Sequence, residues 1–101
     1  AMAYVVPRHV DTILGATLEA REAFDIDEHT TQALLARCAK LVPSIARAKV
    51  LDARVGLRPL RPQVRVERVG SLGQSPLIAN YGHGGSGVTL SWGCARAVVE
   101  L

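Results

Sequence analysis

Apolar residues in the first half of the chain recur at three- and four-residue spacing, which is typical of one face of an α-helix. The stripe consists of Ala33, Leu34, Cys38, Leu41 and Val42. We predict that this helix begins at Asp25, because Asp25 and Glu28 have the form of a capping box. It is expected to end before Pro43, since the residue before a proline avoids helical geometry. Cys38 is interpreted as a small buried hydrophobe.

Alternating apolar and polar positions predict several β-strands. They are Tyr4–Val6, Thr12–Leu14, Ala48–Leu57, Gln63–Val69 and the more uniformly apolar Pro76–Tyr81. The first two flank a turn and are expected to form a hairpin. We predict a loop over Gly70–Pro76 and a second helix over Val88–Leu101. Together these elements predict an α+β fold with a mixed or antiparallel β-sheet and two main helices.

The composition is that of one small folded domain. The chain has 101 residues, of which 49% are hydrophobic and 21% charged. Its two cysteines and three histidines show no metal-ligand spacing, so no metal site is expected. The beginning of the sequence lacks a leader pattern, and no apolar run is long enough to span a bilayer, so we expect a cytoplasmic protein without membrane contact.

The charge is unevenly distributed. The net charge is +3, with most acidic residues between Asp11 and Glu28 and most basic residues between Arg37 and Arg68. Such asymmetry is found in nucleic-acid-binding proteins, but aromatic residues make up only 4%, too few for a base-stacking surface. We therefore expect a solvated basic face and no nucleic-acid partner. The more specific alternative to a solvated face is a binding site for a carboxylate or phosphate. The large excess of arginine over lysine favours such a ligand.

A strand, a glycine-rich turn and a helix follow one another between Leu77 and Leu101. The glycines are Gly82, Gly84, Gly85 and Gly87. They permit close approach of a ligand to the backbone, and the helix amides would favour an anion or an electron-rich ring. The spacing does not match a dinucleotide-binding fingerprint, and the lysine of a phosphate-binding loop is absent. On composition alone, the favoured interpretation of this segment is a tight turn without a ligand.

Two Arg-Pro steps lie upstream of that segment, in Arg58-Pro59-Leu60-Arg61-Pro62. Proline fixes its own backbone and favours an extended conformation in the residue before it. Both arginines are therefore predicted to lie on a stiff, non-helical segment.

Four stretches resemble D-amino-acid oxidases, in the same order and at similar spacing. NYGHGGSGVTLSWGCA (residues 80–95) is similar to the C-terminal signature of that family, and GLRPLRPQVRVE (56–67) resembles the segment before it. YVVP (4–7) and ILG (13–15) are similar to the family's substrate-side strands. The resemblance covers nearly the whole chain.

The resemblance implies an FAD-dependent enzyme that oxidises D-amino acids with O₂, giving 2-oxo acids, ammonia and H₂O₂. Arg58 would form a two-point ion pair with the substrate carboxylate, Tyr4 would donate its hydroxyl to it, and the Gly85 carbonyl would accept from the amine. The flavin would lie against Gly84, Gly85, Ser86, Gly87, Val88 and Thr89. His83 is interpreted as a hydrogen-bonding group rather than a base, and Trp92 as core. Neutral D-amino acids are the favoured substrates.

The resemblance covers only the C-terminal part of the family. The N-terminal dinucleotide-binding βαβ unit is absent, so residues 1–101 are interpreted as the substrate-binding and flavin-contacting fragment of a two-domain fold, inactive alone. Exposed sheet edges and apolar patches are expected where the missing FAD-binding half would pack. The alternative is a non-catalytic interaction or dimerisation module, which would form a homo-oligomer. No peroxisomal signal stands at the end of the sequence. A peroxisomal location is the alternative to the cytoplasm if the source is eukaryotic.

Overall fold

The computed structural model describes residues 2–101. It divides into two compact units, with the boundary between Leu57 and Arg58. The first unit contains β1 (Tyr4–Pro7), β2 (Thr12–Gly15), α1 (Glu28–Leu41) and a 3₁₀ turn, Pro43–Arg47. The second contains β3 (Leu60–Leu72), β4 (Ser75–His83), a 3₁₀ turn (Gly84–Ser86) and α2 (Gly87–Glu100). The α+β class and the two main helices are confirmed, and both two-stranded sheets are antiparallel.

The first hairpin forms where the alternating pattern predicts it. β1 and β2 pair antiparallel, with Tyr4 opposite Gly15. The connection is closed by a hydrogen bond from the Arg8 amide to the Asp11 carbonyl, 2.8 Å long, and by an ion pair between the two side chains. The predicted hairpin is therefore confirmed.

Helix α1 begins two residues later than the capping-box pattern indicates. The N-cap is Asp27, whose carboxylate accepts hydrogen bonds from the amide and the hydroxyl of Thr30. Glu28 is the first helical residue, so it cannot fill the third position that a cap at Asp25 requires. The prediction of Asp25 as the N-cap is wrong, because the carboxylate of Asp27 is the one that accepts the hydrogen bond from the Thr30 amide in the first turn. The end before Pro43 is confirmed.

Helix α1 packs on the first hairpin through Cys38. This side chain is fully buried, and its thiol donates to the carbonyls of Tyr4 and Gly15 across 3.6 and 3.8 Å. The neighbouring Arg37 donates to the carbonyl of Ala16, 3.3 Å away. The interpretation of Cys38 as buried is confirmed. Its contacts tie α1 to both strands of the hairpin.

The predicted strand Ala48–Leu57 does not form, and no regular element covers this segment. Asp52 accepts a hydrogen bond from the amide of Ala53 and pairs with Arg54. An aspartate that binds the adjacent backbone competes with strand pairing. The apolar positions there alternate only in part, which leaves no single face to bury.

Strands β3 and β4 form one long hairpin and remove the predicted loop at Gly70–Pro76. Strand β3 continues to Leu72, and its partner Ser75 follows after two residues. Gly73 has a φ of +60°, the left-handed conformation that such a short hairpin connection needs. The loop prediction is wrong because a two-residue turn suffices.

Much apolar surface is uncovered in both units. Among the described residues, only Ala16 and Cys38 are buried hydrophobic positions. Trp92 is 88% exposed, so its interpretation as core is wrong within residues 2–101. Each sheet has only two strands and therefore two unpaired edges. The expected exposed edges and apolar patches are confirmed. No helix within residues 2–101 has the length and apolar character needed to cross a bilayer.

Candidate functional site

An irregularity in β3 shapes the end of the second sheet. Leu60 pairs with His83 and Arg65 with Tyr81, so β3 advances by more residues than β4 between these two pairs. Residues 61–64 lie opposite the single residue Gly82 and form a bulge, which includes Pro62, a residue that cannot donate a ladder hydrogen bond.

A backbone hydrogen bond joins the Arg-Pro segment to the glycine-rich turn. The Gly84 amide donates to the Pro59 carbonyl at 2.8 Å, which extends the pairing of Leu60 with His83 by one residue. Arg58 and Gly85 are the chain neighbours of these two bonded residues. The structure thus brings both predicted ligand-binding positions to the same end of the β3–β4 sheet.

We call residues 82–87 the glycine bend. Gly82 and Gly84 have φ of +88° and +54°, a region that other residues rarely adopt. A Cβ at Gly82 would lie 2.7 Å from Cγ of Arg61, and a Cβ at Gly84 would lie 2.7 Å from Cδ1 of Leu60. Glycine is therefore required at both positions by conformation and by close packing.

Gly85 and the beginning of α2 face free space. Among the described residues, apart from Gly85 and its two chain neighbours, no heavy atom lies within 4 Å of the position that a Cβ of Gly85 would occupy. No side chain caps the first turn of α2, and no acidic residue lies in it. The partial positive charge at this end of α2 would therefore favour an anion or an electron-rich ring. Ser86, Val88 and Thr89 are exposed at this end of α2. This arrangement fits the edge of an isoalloxazine ring.

Among the described residues, Arg58 and Arg47 are the two arginines without an ion pair, a hydrogen bond or a cation–π contact. Five arginines pair with carboxylates: Arg8, Arg21, Arg54, Arg65 and Arg96. In the part of the chain that the structure describes, the exposed Arg58 guanidinium forms no ion pair and donates no hydrogen bond. An unpaired guanidinium on a proline-stiffened segment is suited to two-point binding of a ligand carboxylate.

A cluster of cationic side chains surrounds Tyr81 beside the bulge. The guanidinium carbons of Arg61 and Arg65 lie 5.1 and 5.7 Å from the ring centroid. Nη1 of Arg65 donates to the Tyr81 hydroxyl at 3.1 Å, while its Nε pairs with Glu67. This hydrogen bond and the two positive charges hold the pKa of Tyr81 below its ordinary value. Sequence reasoning missed the cluster, because the bulge that brings residues 61 and 81 together leaves no periodic signal.

His83 contacts Cys94 of α2. Its Nε2 lies 3.4 Å from the Cys94 sulfur, and both side chains are half-buried. The interpretation of His83 as a hydrogen-bonding group agrees with this contact, whereas Cys94 was not predicted as its partner. The contact ties the end of β4 to the middle of α2 across the glycine bend.

Tyr4 belongs to the first unit, whereas the other predicted site residues belong to the second. Its ring covers Gly15 so closely that any Cβ there would overlap the end of the ring. Its ring is thereby fixed relative to its own hairpin. Its role toward a ligand stays a prediction.

The sequence comparisons identify the family. All 101 residues match the family described as FAD dependent oxidoreductase. The chain therefore belongs to this FAD-dependent oxidoreductase family.

Curated relatives carry a narrower name. The chain is 50% identical to a D-amino-acid oxidase of Rubrobacter xylanophilus over 99% of its length and 31% of the relative's. It is 43% identical to a D-amino-acid oxidase of Streptomyces coelicolor over 97% of the chain and 31% of the relative, and 40% identical to one of Dictyostelium discoideum over 99% and 30%. The chain thus spans less than a third of the length of these relatives. No solved structure matches it significantly.

Proposed function

We propose that this chain is the substrate-binding and flavin-contacting part of an FAD-dependent D-amino-acid oxidase with a two-domain fold. The observation that carries the proposal is the hydrogen bond between Gly84 and Pro59, which brings Arg58 and the glycine bend to one end of a sheet. The family match and the names of the relatives support the reaction type. The dinucleotide-binding unit would lie outside the sequence described here.

The proposed substrate is held at both of its charged ends. The Arg58 guanidinium binds the carboxylate through two parallel hydrogen bonds, which fixes orientation as well as affinity. The carbonyl of Gly85 accepts a hydrogen bond from the amine. A D-amino acid held at these two points presents its α-hydrogen in one direction, and such fixed geometry is the protein's main contribution to this kind of reaction. Bound FAD would supply the redox chemistry by accepting a hydride from the substrate α-carbon.

The residues of the glycine bend and of α2 have a separate role in this proposal. The free space above Gly85 leaves room for a planar ring against the backbone. The uncapped amides at the beginning of α2 stabilise negative charge placed beside them. Gly84, Gly85, Ser86, Gly87, Val88 and Thr89 would contact the flavin mainly through backbone groups, with the Thr89 hydroxyl as an additional polar contact.

The Tyr4 hydroxyl would donate a further hydrogen bond to the substrate carboxylate, as the family resemblance implies. Neutral D-amino acids are the proposed substrates, because no second cationic group is assigned to a side-chain carboxylate. O₂ would be the electron acceptor, with H₂O₂ as the product.

The exposed apolar face of α2 supports the proposal that this chain belongs to a larger folded protein. Val88, Trp92 and Val99 are 91, 88 and 86% exposed, and their spacing places them on one side of the helix. Another side of α2 contacts β3 and β4. A helix that is apolar on several sides is normally buried in the core of a larger protein, and the relatives are about three times as long.

The alternative function, an interaction or dimerisation module, would bury the same face against another chain. The two are separated by assaying the full-length protein that contains this segment, with FAD and D-alanine, for peroxide formation. We expect turnover with D-alanine and none with L-alanine, and no turnover from residues 1–101 alone. A full-length protein that dimerises but binds no flavin would support the module instead.

A further inference from the structure

Arg61 lies in the bulge of β3, and its side chain covers the first residue of the glycine bend. Its Cγ, Cδ and Cβ atoms would stand 2.7, 2.8 and 3.0 Å from a Cβ placed on Gly82. Gly82 is buried although it has no side chain of its own. The aliphatic part of Arg61 thus closes off the backbone at the residue whose φ is +88°.

The Arg61 side chain extends to Tyr81 of β4, and its guanidinium lies over the Tyr81 ring. It lies 5.1 Å from the ring centroid, within the range of a cation–π interaction. No carboxylate pairs with Arg61 among residues 2–101, whereas Arg65 is already engaged by Glu67 and the Tyr81 hydroxyl. The ordering of the Arg61 side chain therefore comes from the Tyr81 ring at one end and the Gly82 backbone at the other.

Resting on the function proposed above, we propose that Arg61 is a positioning residue that holds the glycine bend in its ligand-binding conformation. Glycine loses more conformational entropy on ordering than any other residue, so a turn that contains several glycines needs an external restraint. Three neighbouring residues of the Arg-Pro segment supply restraints: the Pro59 carbonyl binds the Gly84 amide, Leu60 covers Gly84, and Arg61 covers Gly82. Arg61 also lies over the ring of Tyr81, a neighbouring residue of β4.

Arg61 acts through the backbone and does not touch the substrate. When the bend is ordered for a smaller fraction of the time, the apparent affinity for a ligand falls by that fraction. The rate after binding stays the same, because the bound state has the same geometry. Loss of Arg61 therefore raises KM with little change in kcat.

The test uses the full-length protein in four forms: wild type, Arg61→Ala, Arg61→Lys and Arg61→Met. Amide hydrogen exchange of a peptide covering residues 82–87 reports the order of the bend without any ligand. Steady-state kinetics with D-alanine gives KM and kcat. Arg96→Ala is the control, because Arg96 is an exposed arginine of the same unit that pairs only with Glu100.

We expect Arg61→Ala to speed exchange in residues 82–87 about 2- to 5-fold, the size that loss of an exposed cation–π contact implies. KM should rise by no more than this factor, because it follows the ordered fraction of the bend and not the opening rate. Arg61→Lys keeps the aliphatic part and the charge and should restore both values to within about 2-fold of wild type. Arg61→Met keeps only the aliphatic part and should fall between Lys and Ala. Arg96→Ala should match the wild type.

Unchanged exchange in Arg61→Ala would overturn the proposal, and so would a raised KM without faster exchange, because Arg61 would then contact the ligand directly. If Arg61→Ala fails to fold, the exchange rates of Arg61→Lys and Arg61→Met are compared instead. Equal rates in these two variants would then overturn the proposal. A wild-type protein that does not turn over D-alanine contradicts the proposed function. The exchange rates, measured without ligand, still decide whether Arg61 orders the bend.

Discussion

Replacing Gly84 by alanine places a methyl group where both the backbone and its surroundings oppose it. The φ of Gly84 is +54°, and the new Cβ would stand 2.7 Å from Cδ1 of Leu60. Holding alanine in the left-handed region costs about 1–2 kcal/mol. Turning the Leu60 side chain away costs about 0.5–1.5 kcal/mol more. The expected destabilisation of the glycine bend is therefore about 1.5–3.5 kcal/mol.

The adjacent substitution, Gly85→Ala, is a matched control for stability. Gly85 has no positive φ, and nothing lies within 4 Å of the added methyl group. Alanine there restricts the unfolded chain and is expected to leave stability unchanged or to raise it by up to about 1 kcal/mol. The methyl group would, however, occupy the space proposed for the flavin. Gly85→Ala should therefore weaken FAD binding in a protein that is fully folded.

The two variants are compared in the full-length protein by amide hydrogen exchange and by FAD titration followed by flavin fluorescence. For Gly84→Ala, 1.5–3.5 kcal/mol corresponds to exchange that is about 12- to 300-fold faster in residues 82–87. For Gly85→Ala, exchange should stay at the wild-type rate or slow down while FAD affinity falls. Wild-type exchange in Gly84→Ala would refute the packing argument. Normal FAD affinity in Gly85→Ala would show that the free space is not the flavin site.

Three further predictions concern other parts of the chain. Arg58→Met should lower kcat/KM for D-alanine roughly 100-fold or more, because a two-point ion pair is lost; a change below about 3-fold would exclude Arg58 from the site. Asp27→Ala should lower the thermal midpoint at neutral pH. Hydrogen bonds from Thr30 hold the pKa of Asp27 below its ordinary value. The stabilisation by Asp27 is therefore fully present above the ordinary pKa and is lost as the pH falls through the lowered pKa. The difference between Asp27→Ala and wild type should shrink as the pH falls below the ordinary pKa of an aspartate, and a difference that stays constant there would contradict the assignment. Gly15→Ala should displace the Tyr4 ring and raise KM for D-alanine, which a Gly56→Ala control, with nothing near its added methyl group, should not do.

Local patterns were sufficient where one face or one turn decides the structure. The first hairpin follows from alternation with a four-residue connection, and the burial of Cys38 follows from its place on the helical stripe. The glycine-rich turn between a strand and a helix could also be predicted, because its residues are contiguous. The family resemblance added roles for Arg58 and Gly85 that spacing alone does not contain.

Features that depend on register or on competing local contacts were not predictable. The N-cap at Asp27 depends on which of two neighbouring aspartates reaches the Thr30 amide. The bulge at residues 61–64 depends on where β3 meets β4, and the contact of Arg61 with Tyr81 follows from it. The exposure of Trp92 could not be read from apolar spacing, because a stripe does not show whether its partner lies within the same chain.

The central claim is that Arg58 and the glycine bend bind one ligand together. The most direct measurement is a crystal structure of the full-length protein with FAD and a D-amino acid, trapped without O₂. We expect the substrate carboxylate on the Arg58 guanidinium, the amine hydrogen-bonded to the Gly85 carbonyl, and the flavin ring against residues 84–89. A substrate bound elsewhere, with Arg58 directed into solvent, would contradict the claim.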